Sequence, residues 1–166
     1  MVLTTVVLWV HIFGAIGWLG AAMVFGMVVG PSLPRLSGPA RIEFSARVLP
    51  RYARYIEVFS VITLVFGIAT VAVFTNGDFS MMSPSTSFGL YISIGALLSL
   101  VAFGLVFAVV IPAAHKIAGM SEALMKTPGQ PPAALVAASR RLRMGSMAGM
   151  VLLILVTIFM VAGATL

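Results

Sequence analysis

His11 is the one residue in this sequence whose side chain could do chemistry deep inside an apolar segment. It lies in the run WVHIFGAIGWLG, and no Lys or Arg precedes Arg35. A neutral imidazole there could ligate haem iron or copper, or pass a proton. The alternative is a structural histidine that hydrogen-bonds a hydroxyl at a similar depth, such as that of Thr70 or Thr157.

Three residues share a helical stripe with His11 at the 3.6-residue period: Gly14, Trp18 and Phe25. If a ligand binds at His11, we expect Trp18 and Phe25 to flank it and Gly14 to leave it space. Small residues on this stripe also allow two transmembrane helices to pack closely, which is a purely structural explanation.

Two further groups are weaker candidates. Glu57 follows Arg54 by three residues, so on a helix the two would form a structural ion pair or part of a proton path. Met81 and Met82 lie close to Asp78, and two thioethers could collect Cu(I). The other methionines fall largely in apolar stretches, where Met is an ordinary packing residue.

Several classes of chemistry are excluded by composition. The 166 residues include no Cys, so disulfides, thiolate metal sites, iron–sulfur clusters and cysteine nucleophiles are ruled out. No Walker loop, dinucleotide fingerprint, paired carboxylates or Ser/His/Asp set occurs. We therefore do not expect this chain to be an enzyme on its own.

The elements that must position these residues are apolar helices. Hydrophobic residues make up 61% of the chain, charged residues 8%, and the mean hydropathy is +1.15. A bilayer core needs about 20 apolar residues per helix, which predicts an all-α integral membrane four-helix bundle, one transmembrane domain over 1–166. The predicted helices are about 3–30, 55–74, 88–111 and 144–164, with cytoplasmic loops 31–54 and 112–143.

The placement of charge predicts the topology. All 10 Lys and Arg residues fall in those two loops, and the termini and the external loop have none. Because such residues stay on the cytoplasmic side, both termini should be non-cytoplasmic, in a prokaryotic-type cell (inner) membrane with multiple passes. The net charge of +6 then indicates contact with anionic lipid headgroups of the bilayer, and no nucleic-acid partner.

The first helix resembles that of two related membrane families, the copper-resistance D (CopD) family and the HemJ-type protoporphyrinogen oxidases. The resemblance rests on the spacing of His11, Trp18 and Gly20, and extends loosely through VVGPSLPRL, RYARYIEVFSVITLVFG and SFGLYISIG. It implies a compact bundle in which His11 ligates haem b or another metal. Those families usually carry a Lys in the third helix, and here no charged residue lies from Leu90 to Ile111.

We therefore expect a small membrane protein that binds haem b or a metal through His11. It would act in electron transfer or cofactor handling, with other membrane subunits or as a homo-oligomer. One alternative is a cofactor-free accessory subunit of a larger membrane complex. Another is copper transport or resistance, which would use Met81 and Met82. The two histidines, His11 and His115, should lie at different membrane depths and should not share one haem.

Overall fold

The computed structural model describes residues 2–127 and 129–165, and within these ranges every regular element is helical. The prediction of an all-α four-helix bundle is confirmed. A short 3₁₀ turn, Phe79–Met82, lies between the second and third helices. The four long helices are α1 (Val2–Arg35), α2 (Gly38–Phe74), α3 (Ser87–Lys126) and α4 (Ala133–Thr165).

All four helices are apolar enough to cross a membrane. Over their most apolar 18 residues, the mean hydropathy is between 2.1 and 2.8. The chain is thus a multi-pass membrane protein. The helices contain 34, 37, 40 and 33 residues, which at 1.5 Å per residue corresponds to about 50 to 60 Å each. A hydrocarbon core is only about 30 Å thick, so each helix is longer than a perpendicular crossing of that core requires.

The helices extend well beyond the bounds that hydropathy predicted. The predicted loops 31–54 and 112–143 are largely helical in the described residues. Only residues 36–37 lie between α1 and α2, and α3 extends to Lys126 while α4 begins at Ala133. Hydropathy identifies the part of a helix that lies in lipid. The full helix can be longer, because packing also stabilises its more polar segments. The first half of α2 illustrates this, because Leu49 and Ala53 are 1% and 0% exposed there.

Pro31 and Pro112 lie within α1 and α3 and do not end these helices. Each helix widens into a π-helical segment just before its proline, Val24–Val29 before Pro31 and Val106–Val110 before Pro112. The N–H groups of Gly30 and Ile111 then donate to carbonyls five residues back. This wider turn accommodates the missing N–H and the bulky ring of proline, which would otherwise disrupt an α-helical turn.

The chain forms two compact units, and every long helix contributes a segment to each. We call them the His11 unit (2–19, 58–103 and 151–165) and the basic unit (Gly20–Glu57 and Gly104–Met150). All ten Lys and Arg residues belong to the basic unit. Among the described residues of the His11 unit, Asp78 is the only Asp, Glu, Lys or Arg.

The basic unit has its own hydrophobic core, to which all four helices contribute. Phe25 of α1 stacks on Tyr52 of α2 with ring centroids 4.3 Å apart. The buried members of this core are Phe25, Leu49, Ala53, Val110, Ala113, Ala114, Ile117, Ala138 and Leu142. Six of these nine are small or β-branched residues, and the four alanines among them let the helix backbones approach closely.

Candidate cofactor-binding site

The imidazole of His11 is held by the backbone of the neighbouring helix. Its Nδ1 lies 2.8 Å from the carbonyl oxygen of Thr63 on α2. A carbonyl oxygen can only accept a hydrogen bond, so Nδ1 must carry the proton and Nε2 of the neutral ring keeps its lone pair. Orientation of a histidine through Nδ1–H and a backbone carbonyl is the usual arrangement at metal-binding histidines.

The expected hydroxyl partners of His11 do not bond to it. Thr70 and Thr157 instead donate to carbonyls one turn back in their own helices, those of Phe66 and Leu153, at 2.7 and 2.9 Å. Hydroxyl side chains inside helices often form such bonds, because the carbonyl four residues earlier is within reach. The prediction of a hydroxyl partner is therefore wrong, and a backbone carbonyl takes that place.

Gly67 provides the space that the imidazole occupies. A Cβ atom added at Gly67 would lie 2.9 Å from Cε1 and 3.0 Å from Nδ1 of His11. Gly67 is one helical turn after Thr63, so the residue that makes room and the residue that accepts the bond share one face of α2. The sequence does not mark Gly67 as a site residue, although Gly67 lies four residues after a threonine.

Gly14 serves helix packing and leaves no room for a ligand. A Cβ atom there would come within 2.9 Å of Ile62 and 3.0 Å of the Thr63 hydroxyl. The two helices are equally close one turn further along α1, where Gly17 lies against the ring of Phe59 on α2. These contacts bring α1 and α2 together at the level where His11 reaches the Thr63 carbonyl.

The two aromatic residues predicted to flank a ligand, Trp18 and Phe25, are both buried. Trp18 is 1% exposed, and its Nε1–H has no hydrogen-bond partner in the described part of the chain. Phe25 belongs to the basic unit, where it stacks on Tyr52. On α1, Leu8 and Ala15 lie one helical turn before and after His11 and are exposed and half-buried.

The His11 side chain is half-buried, and within 2–127 and 129–165 its Nε2 atom takes part in no hydrogen bond. The lone pair of an oriented imidazole nitrogen can ligate haem iron or a divalent metal. No group of three His, Asp or Glu side chains in the described residues could complete a metal site.

Met81 and Met82 lie in the 3₁₀ turn Phe79–Met82. Two side chains form hydrogen bonds with backbone groups of this turn. Asp78 caps this turn by accepting a hydrogen bond from the Ser80 N–H at 2.9 Å. The Met82 carbonyl accepts another from the Ser93 hydroxyl at 3.1 Å. Met81 is 46% exposed, so its thioether is accessible, whereas the Asp78 carboxylate is already engaged.

Arg54 and Glu57 form an ion pair in the basic unit. The distance from Arg54 Nη1 to Glu57 Oε2 is 3.1 Å, and the two side chains are 74% and 35% exposed. An exposed pair of this kind stabilises a protein by at most about 1 kcal/mol. It provides a structural explanation for Glu57 that requires no role in proton transfer.

A second polar feature, which sequence analysis missed, is buried in the basic unit. The hydroxyl of Tyr52 lies near that of Ser146, yet neither forms a hydrogen bond of acceptable geometry with any described residue. Ser146 is 5% exposed. The sequence alone does not indicate that these two hydroxyls are buried, because their burial depends on the packing of α2 against α4.

Comparisons of the chain with protein-family models, with curated proteins and with solved structures find no match. The class that the structure defines is a multi-pass, all-α membrane protein with a single oriented imidazole in the apolar part of its first helix.

Proposed function

We propose that this protein binds haem b or a metal ion through His11 Nε2 and acts in electron transfer or cofactor handling as part of a membrane assembly. The observation that carries the proposal is the 2.8 Å contact of His11 Nδ1 with the Thr63 carbonyl. This hydrogen bond keeps the proton on Nδ1, orients the ring and leaves the lone pair on Nε2. The CopD-like and HemJ-like spacing of His11, Trp18 and Gly20 supports the same assignment.

The residues present fit such a group at one coordination position. Haem b, when bound, supplies a one-electron redox couple. The chain contributes the imidazole, its tautomer and its orientation through Thr63 and Gly67. It also contributes an apolar surface from Leu8 and Ala15, which excludes water. A polar acceptor such as Nε2 is costly to leave unpaired in lipid, which favours a bound partner.

The proposal includes an orientation: both termini on the non-cytoplasmic side of a prokaryotic-type cell (inner) membrane. Its support is the location of all ten basic residues in one of the two compact units, because Lys and Arg near helix ends are retained on the cytoplasmic side. His11, in the unit without basic residues, would then lie toward the outer half of the membrane.

The test is a spectrum and a metal analysis of the detergent-purified protein, with the chain's two histidines exchanged in turn. We expect a Soret band, or a stoichiometric metal, that is lost in His11→Ala and restored by added imidazole. His115→Ala is the matched control, because His115 is exposed on α3 in the basic unit and its loss should change nothing.

Each result has a distinct meaning. If the purified protein has neither Soret band nor metal, and takes up neither when haem b or Cu(I) is added, the proposal fails. Stoichiometric co-purification of other membrane subunits, unaffected by His11→Ala, would then favour a cofactor-free accessory subunit. Bound copper that depends on Met81 and Met82 but not on His11 would favour copper transport or resistance.

A further inference from the structure

The three arginines of α4 have no acidic partner. Elsewhere in the basic unit, each glutamate of α2 and α3 pairs with a basic residue three or four positions away in its own helix. No Asp or Glu lies in α4, and Arg140, Arg141 and Arg143 form no ion pair or hydrogen bond with any described residue. Their positive charges repel one another, so an anion bound beside them is stabilised.

Two of these arginines border a shallow hollow on the surface of α4. The hollow has a volume of about 600 Å³, and guanidinium groups and apolar side chains share its walls. It is lined by Ala133, Val136, Ala137, Arg140, Arg141 and Met144. Val136 and Met144 are 64% and 61% exposed. Such a surface matches a ligand that has both an anionic and an apolar part.

The hollow lies where the uncharged part of α4 begins. No charged residue follows Arg143 in this helix. The segment 144–165 is about 33 Å long at 1.5 Å per residue, which is enough to cross a hydrocarbon core about 30 Å thick. Arg140 and Arg141 are therefore at the level of the lipid phosphates. Met147, two helical turns after Arg140 on the same face, is 44% exposed and continues the apolar surface toward the hydrocarbon.

We propose that α4 binds an anionic phospholipid, whose phosphate contacts Arg140 and Arg141 and whose acyl chain lies along Met144 and Met147. A guanidinium group donates two parallel hydrogen bonds to phosphate oxygens, which holds the headgroup in one place. A soluble phosphate would contact the arginines but would not cover the exposed methionines. This site is separate from His11 and requires no cofactor there.

Lipid retention by the detergent-purified full chain tests the proposal. The protein receives equal amounts of phosphatidylglycerol and phosphatidylcholine with identical acyl chains, and native mass spectrometry should then show one bound phosphatidylglycerol per chain. Arg140→Gln and Arg141→Gln should each lower the affinity for phosphatidylglycerol about tenfold, because each removes charge-assisted hydrogen bonds to the phosphate. Both side chains are exposed, so neither substitution should disturb folding.

Arg143→Gln is the matched control. It removes the same charge from the same helix, but Arg143 does not line the hollow, so binding of phosphatidylglycerol should persist. Met144→Gln should weaken lipid retention, because it places a polar group against the acyl chain. His11→Ala should retain the lipid as the wild type does, so failure of the proposed cofactor function would leave this result unchanged.

Other results would overturn the proposal. Equal loss of lipid in Arg143→Gln and Arg140→Gln would indicate only a diffuse attraction between the basic unit and anionic lipid. Equal retention of phosphatidylcholine would show that the charge of the headgroup is not recognised. Displacement of phosphatidylglycerol by an equal concentration of inorganic phosphate would identify a soluble anion as the occupant. Co-purification of another membrane subunit that is lost in Arg140→Gln would identify a protein instead.

Discussion

The imidazole of His11 lies against Gly67, at a distance where even one additional carbon atom would be too close. A Cβ atom at Gly67 would be 2.9 Å from His11 Cε1 and 3.0 Å from Nδ1. The same ring edge reaches the Thr63 carbonyl. Gly67 thus permits the hydrogen bond that selects the tautomer of His11, although it has no side chain to contribute.

Replacing Gly67 by Ala should therefore displace the His11 ring. We expect a loss of stability of about 1 to 3 kcal/mol from overpacking, together with weaker haem or metal binding. Thermal denaturation in detergent and a haem titration would measure the two effects. Gly104→Ala is the matched control, because a Cβ atom at Gly104, also within a long helix, meets nothing within 4 Å. Equal behaviour of the two variants would contradict the role of Gly67.

We expect that removing the buried hydroxyl of Ser146 does not lower the stability of the protein. Because it has no partner in the described residues, Ser146→Ala should leave the thermal midpoint unchanged or raise it. Ser99 is also buried, at 7% exposure, but its hydroxyl donates to the Ala96 carbonyl at 2.7 Å. Ser99→Ala should lower stability by about 0.5 to 1 kcal/mol.

This comparison has a clear opposite outcome. If Ser146→Ala were the more destabilising of the two, the Ser146 hydroxyl would have to be hydrogen-bonded in the membrane-embedded protein. Tyr52→Phe would then be destabilising as well, since the Tyr52 hydroxyl lies near that of Ser146. Melting curves of all three variants in one detergent decide between the two cases.

Asp78 predicts a local change at acidic pH. The hydrogen bond from the Ser80 N–H lowers the pKa of this carboxyl below its ordinary value of 3.8. A lowered folded-state pKa stabilises the turn above the ordinary value, and this contribution is lost as the pH falls through the lowered pKa. An NMR titration of the Ser80 amide should show one transition below pH 3.8.

Asp78→Asn serves as the control for that titration. The amide oxygen of Asn can still accept the Ser80 N–H, but it does not titrate, so the transition should disappear while the turn remains. A transition at or above the ordinary carboxyl pKa in the wild type would show that this hydrogen bond is not formed.

The proposed orientation predicts opposite labelling at two exposed connections. The chain has no Cys, and both Ser85 and Gln130 are exposed and lie outside the long helices. A membrane-impermeant maleimide applied to intact cells should label Ser85→Cys. It should label Gln130→Cys only after the membrane is permeabilised. The reverse pattern would place the basic residues outside and reject the orientation.

Much of the architecture could be predicted because it depends on local composition. Four apolar runs, the absence of Cys and the grouping of ten basic residues are properties of short stretches of chain, and the structure confirms four helices able to span a membrane. The helix ends could not be predicted in this way. Pro31 and Pro112 lie within α1 and α3, and the π-helical segments that precede them keep both helices continuous.

The candidate site could likewise be predicted only in part. Composition and spacing were sufficient to select His11, since an imidazole in an apolar segment needs a partner wherever it lies. They could not identify Thr63 as that partner, 52 residues away, or Gly67 as the residue that makes room. They also placed Phe25 beside His11, whereas it stacks on Tyr52.

The sequence alone determined that this protein has four membrane-spanning helices, with one histidine inside the first of them and its basic residues in two clusters. Only the tertiary structure decided which nitrogen of His11 is protonated and which residue accepts its hydrogen bond. The physical reason is that hydropathy is a property of each segment by itself. The tautomer instead depends on a carbonyl that the close approach of α1 and α2 brings within 2.8 Å of the ring.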